Sequence, residues 1–393
     1  MKEIIELYRL LQDEKDFQKK YPQFNPRDGK IHILFLSACL NGTGYYRSIT
    51  PSMELNRSQT HASIITSIHK WNFNKQSLEY DNALDSSEST KLIQWADYVI
   101  LPTVLTDTTY IAKALQALNP DVQLVMDIDV NIHATPKEHP QYDKITKQQQ
   151  DQLLKNISEM NLLIGASEGL LDYYDELLEK QYPNSSTFLE YIPNLISAYG
   201  YAEVKPLKKN ASDRIRIGII GNASSAMDTL NISDVLKTIQ DKYKEKIELI
   251  LLGWNGISPK GELALQGIQF TYVKSVGFLD YFDALNELAL DIALVPLADI
   301  PYNTKGKSFV KYLELSVFRI PTVASDLAPL NEVIDSNENG CLASSHEDWV
   351  SSIERLISDS SLRERMGSSA LKAVWRNYSF TSHTLQIFQE IFI

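Results

Sequence analysis

Three things are scarce in this chain, and each scarcity excludes something. No stretch of its 393 residues is both long and apolar enough to cross a bilayer, which argues against a helical membrane protein. Met1 to Lys20 is charged throughout, so no secretory signal is expected there and a cytoplasmic location is. Cysteine occurs twice, as Cys39 and Cys341, far apart and each in or beside an apolar, strand-like segment. Buried free thiols in a reducing compartment are expected, not a disulfide. Basic residues are outnumbered, 38 to 50, and the net charge of -12 argues against general nucleic-acid or anionic-membrane binding. Peripheral membrane association is the most that balance allows, although a local basic cleft is compatible with it.

What is present suffices for two cores, since 44% of the residues are apolar and the length exceeds one typical domain. Residues 1–28 form a helical extension: Ile4, Ile5, Leu7, Leu10, Leu11 and Phe17 recur at helical spacing, and Pro22 and Pro26 end the pattern. Such a helix packs on a domain, on a partner, or on a second copy. From Ile31 the pattern alternates. Strands are predicted at Ile31–Ala38, Ala62–Ile68, Tyr98–Leu101, Gln123–Asp127, Leu162–Ala166 and Leu189–Ile192, with helices at Thr108–Leu118, Asp151–Glu159 and Gly169–Gln181. Asn194 to Asp213, with Pro206 and three lysines, reads as a linker. A second alternation then places strands at Ile215–Ile220, Ile247–Leu252, Gln269–Val273, Asp291–Val295 and Thr322–Ala324. Helices are predicted at Ile232–Lys242, Tyr281–Ala289, Ser308–Val317, Trp349–Ile357 and Leu362–Asn377. The expected fold is α/β: two doubly wound, Rossmann-like parallel-sheet domains, 29–200 and 201–377, facing across a cleft. Residues 378–393 add a last helix, able to cross back to the first domain.

Candidate chemistry concentrates between Asn303 and Ser325. Lys307, Lys311 and Glu314 share one face of a predicted helix, with Ser308 placed to cap it. Lysines gain nothing from a helix N-terminus, so two of them there make sense with an anion in front, and phosphate is the commonest. A solvated face with an ordinary Lys311–Glu314 ion pair is the alternative. In the first half, Gly42, Gly44 and Arg47 form a glycine-rich turn after the first strand. Arg47 stands where a dinucleotide fingerprint wants glycine, which disfavours a nicotinamide or flavin site. An anion-approaching turn with Arg47 as a fork, or a plain tight turn, remains. Asp127 and Asp129 end a strand, ahead of His133 and His139. They suit a diphosphate-bound metal ion, a base or acceptor-hydroxyl contact, or a loop cap. Gly221 and Asn222 end the first strand of the second half, and Asp228 reads as a cap for the helix that follows.

Lys307, Ser308, Lys311 and Glu314 with Pro321, Ala324 and Ser325 resemble the Lys-Ser-x-x-Lys-x-x-Glu helix and Pro-x-x-Ala-Ser strand of a bacterial branch of the retaining GT-B glycosyltransferases, the family usually numbered four. Tyr46, Arg47 and Pro51 match its Tyr-Arg-x-x-x-Pro. Asp127 and Asp129, with His139, Pro140 and Tyr142, match its acidic stretch except at Val130, where the branch has a further acid. The resemblance implies a transferase that moves a sugar from a nucleotide-diphosphate donor, UDP- or GDP-linked, to a glycan, lipid-linked or protein acceptor with retention. It implies no metal and no cofactor beyond that donor. Lys307, Ser308, Lys311, Gly221, Gly42, Gly44 and Arg47 would serve the donor, Glu314 its ribose, and Asp127, Asp129 and Lys311 the reaction. Two departures stand out. The family's first glutamate falls at Gly306, and its basic pair after the first strand of the second domain is missing from Ala223 to Leu230. A nucleotide-sugar epimerase and a non-catalytic, transferase-like binding subunit are the alternatives.

Overall fold

The computed structural model describes residues 2–37, 41–66, 69–72, 77–80, 87–105, 109–201, 207–221, 225–253 and 265–393. Cys39, Asn222, Ala223 and the linker's Pro206 lie outside these residues. The chain divides into two compact units: Met1–His133 with Ile145–Ala202 and Phe380–Ile393, and Ala134–Lys144 with Glu203–Ser379.

The first unit is built on a six-stranded parallel sheet, ordered β2-β1-β5-β6-β7-β8. Its strands are β1 (Ile31–Leu36), β2 (His61–Thr66), β5 (Tyr98–Leu101), β6 (Gln123–Ile128), β7 (Leu162–Gly165) and β8 (Phe188–Tyr191), while β3 (His69–Asn72) and β4 (Ser77–Tyr80) form a separate antiparallel pair. β1 pairs with β2 from Ile31↔His61 to Leu36↔Thr66 and with β5 on its other edge from Ile33↔Tyr98. A strand with parallel neighbours on both edges and helices on both faces must be apolar throughout, which is why Ile33 to Leu36 is a run without alternation.

The N-terminal pattern resolves into two helices, Lys2–Asp13 and Phe17–Lys20. The break falls where the Glu14 carboxylate accepts from the Lys15 and Asp16 backbone N–H and Asp16 caps the second helix. Ile4 and Leu11 are buried and the first helix packs on Ala198–Tyr201. The predicted linker is therefore corrected in its first half: Leu195, Ile196 and Tyr201 are core residues of this unit. Residues 380–393 complete it, with Phe392 fully buried and its carbonyl accepting from His61 Nε2 at 2.8 Å.

The second unit holds β9 (Ile215–Ile220), β10 (Ile247–Leu252), β11 (Thr271–Val273), β12 (Ile292–Val295), β13 (Thr322–Ser325) and β14 (Cys341–Ala343), all parallel in the order β11-β10-β9-β12-β13-β14. Ile217, Ile219, Leu251, Leu294 and Val323 pack with Leu236, Ile353 and Leu356 from the helices Ser233–Tyr243 and His346–Ser358. Each such side chain contributes about 1.5–3 kcal/mol on burial. β14 was not predicted, being three residues long. Cys341 in it is buried against Met366, and burial pushes its thiol pKa up, as expected of an unreactive core thiol. The helix predicted from Tyr281 begins at Phe278, and the one predicted from Ser308 runs Val310–Val317.

Candidate functional site

In an open parallel sheet, ligands bind beyond the carboxyl ends of the strands where the strand order reverses. In the second unit that point lies between β9 and β12, and the candidate residues collect there. Gly221 follows β9, and its N–H continues the ladder onto the Leu252 carbonyl at 3.0 Å. Gly253, with φ +88°, stands so close that a Cβ would lie 2.1 Å from the Gly221 carbonyl oxygen, so only glycine lets these two strand ends approach. Ser325, at the end of β13, clamps the loop after β12 by accepting from Leu297 N–H (2.8 Å) and donating to its carbonyl (3.1 Å).

Asp228 is the hub of this region, not the helix cap expected of it. It lies inside the short helix Ala226–Leu230 and is 2% exposed. One carboxylate oxygen accepts from Ala298 N–H (3.0 Å) and Asn303 Nδ2 (2.7 Å), the other from Lys307 Nζ (2.6 Å). The positive charge expected of Lys307 thus has a buried counter-ion, and its ammonium also lies 5.6 Å from the centre of the Tyr302 ring. Lys311 donates to Ser225 Oγ at 3.0 Å. Burial first, and the nearby Lys307 second, hold its pKa down to about 8. Glu314 is 7% exposed and accepts from the Tyr281 hydroxyl at 2.8 Å, so it does not belong to a solvated surface pair. Ser308 is not the cap: Phe309 occupies that position, and no side chain caps the helix. Tyr302, Asn303, Ser225 and Tyr281 are residues of this cluster that the sequence does not single out. Asp228 was noticed, but for another role.

In the first unit, Asn41 Oδ1 accepts from Thr43 N–H at the start of the Gly42–Gly44 turn, and Tyr45–Ile49 continues as a π-helical segment, a rarity that recurs at functional sites. Gly44, with φ -60° and ψ -38°, is in ordinary helical conformation. Arg47 is 5% exposed. Its Nε and Nη2 donate to the two oxygens of Asp127 (2.7 and 3.0 Å), and Nη1 donates to the Ile192 carbonyl (2.7 Å) and Asn194 Oδ1 (3.2 Å). Arg47, expected as a fork beside an anion-approaching turn or as a surface arginine, is a buried tie joining β6 to the end of β8. Burial raises the Asp127 carboxyl to about 6 against the pull of Arg47. Asp129 accepts from Thr43 Oγ1 at 2.7 Å, which joins the glycine turn to the acidic strand end. His133 meets Tyr174 in this unit, whereas His139 belongs to the second, with Nε2 3.1 Å from the Tyr302 hydroxyl. Among the described residues no group of three or more His, Cys, Asp and Glu side chains is placed to hold a metal ion.

Residues 214–359 match the model of the family described as Glycosyl transferases group 1. No curated protein matches the chain by sequence. Among solved structures, TarM is similar with a TM-score of 0.53 and 15% identity, covering 81% of this chain. The chain spans 59% of TarM's length. Sucrose-phosphate synthase from Thermosynechococcus elongatus gives 0.60 and 12%, covering 92% of this chain and 98% of that one. An alpha-glucosyltransferase in complex with UDP gives 0.62 and 13%, covering 92% and 99%. The fold is GT-B, and the stretch of the second unit from 214 to 359 matches the glycosyl transferases group 1 model.

Proposed function

We propose that the chain transfers a sugar from a nucleotide-diphosphate donor, with retention, to a glycan, lipid-linked or protein acceptor. The observation that carries this is the meeting of Lys311, Glu314 and the Lys307–Asp228 pair at the strand-order reversal of a glycosyl transferases group 1 domain. Retaining transfer develops positive charge on the sugar and negative charge on the departing diphosphate, so a fixed cation aimed at that phosphate lowers the barrier. Lys311 is assigned that role, with Lys307 beside it and Glu314 on the ribose hydroxyls. Asp129, braced by Thr43, is assigned to an acceptor hydroxyl, and Arg47 to holding Asp127 in place. In this reading uridine and guanosine donors are both candidates, and no metal is called on.

Replacing Lys311 by alanine should lower turnover by roughly 10²–10³ while the circular dichroism spectrum stays native. Sugar transfer at the native rate would overturn the assignment. Two observations favour a second reading, a transferase-like subunit that binds without catalysis. The pocket's own Asp228 neutralises Lys307, and Gly306 stands where the family has an acid. Calorimetric titration that detects neither uridine nor guanosine diphosphate binding would favour it.

A further inference from the structure

We infer that Tyr281 is a specificity-determining positioning residue: through its hydroxyl it sets the Glu314 carboxylate for a ribose diol, and so makes the site choose ribonucleotides over deoxyribonucleotides. The inference rests on the donor-site reading above and deepens it. Tyr281 lies in the first turn of the helix Phe278–Glu287, 33 residues before Glu314, and no periodicity links the two. Its ring is held on two sides, near parallel to Phe278 (centroids 6.2 Å apart, planes at 15°) and edge-on to Phe282 (centroids 5.4 Å apart, planes at 63°). The ring therefore fixes where its hydroxyl points. That hydroxyl donates to Glu314 Oε2 at 2.8 Å. Burial and the charge of Glu314 raise the Tyr281 pKa well above its ordinary value, so the phenol keeps its proton and remains a donor. A carboxylate on a mobile chain can accept from one hydroxyl in many poses. One with an oxygen anchored by a phenol presents its remaining lone pairs in a single direction, which suits two neighbouring sugar hydroxyls.

Tyr281→Phe removes one oxygen and leaves the ring between Phe278 and Phe282, so the fold should be retained. The experiment is calorimetric titration of the native chain and this variant with uridine diphosphate, guanosine diphosphate and their 2′-deoxy forms, with Glu314→Gln alongside. The native chain should prefer the ribo form of its better ligand by roughly tenfold or more, the worth of a charge-assisted hydrogen bond. Tyr281→Phe should narrow that preference to about threefold or less by weakening the ribo form alone, as Glu314→Gln does. A purely structural role for Tyr281 would weaken both forms alike and leave their ratio at the native value; that result overturns the inference. A native chain that binds both forms equally overturns the ribose role of Glu314. A native chain that binds none of the four overturns the donor-site reading itself.

Discussion

At pH 7 the ammonium of Lys311 keeps its proton with little to spare, because burial and Lys307 hold its pKa to about 8. Only the protonated form can attract a diphosphate, so affinity for uridine or guanosine diphosphate should fall as pH rises from 7 to 9. The fall should approach tenfold per unit once pH exceeds the free-state value. Titrations at pH 7, 8 and 9 check this, and Lys311→Met should remove the dependence. The effect on folding has the opposite sign. An unfolded lysine holds its proton up to about 10.5, so between about 8 and 10.5 the unfolded chain binds more protons and stability contributed at this residue rises with pH. Residue-scale chemistry was only partly legible in the sequence. Lys311 and Glu314 stand one turn apart on the helix Val310–Val317, as their spacing suggests, whereas Lys307 precedes that helix instead of sharing its face. The partner of Lys307 sits 79 residues away in the short helix Ala226–Leu230, and that of Arg47 is 80 residues away, where no local pattern carries the information.

At the scale of elements, strands were read well wherever burial on both faces demands an apolar run, as in β9 and β10. Ends were read less well. Ser308 has the residue type of a cap, but Phe309 holds that position and no side chain caps the helix. The helix Val310–Val317 is set by the helix Ser360–Asn377 packed against it. Their approach depends on Gly367, where a Cβ would lie 2.0 Å from the Arg319 carbonyl oxygen, itself in a turn with φ 55°. Backbone cannot give way as a side chain does. Gly367→Ala should therefore destabilise the second unit by about 1–3 kcal/mol, in line with overpacking elsewhere, and urea unfolding would measure it.

At the scale of the molecule, two units imply two folding transitions, and the chain does not assign them to its two halves. The last 14 residues belong to the first unit, with Phe392 fully buried, 5.1 Å from Tyr98 and 5.6 Å from Phe388 between ring centres. Phe392→Ala should cost the first unit about 3–5 kcal/mol. In scanning calorimetry it should lower one transition by roughly 10 °C, while a nucleotide diphosphate still raises the other. The same feature orders events during synthesis. Domains usually fold as they emerge, the N-terminal one first. Here a ribosome delivers residues 203–379 before 380–393, so the unit begun first is completed after the second, and the seat for Phe392 stays uncovered until that segment emerges.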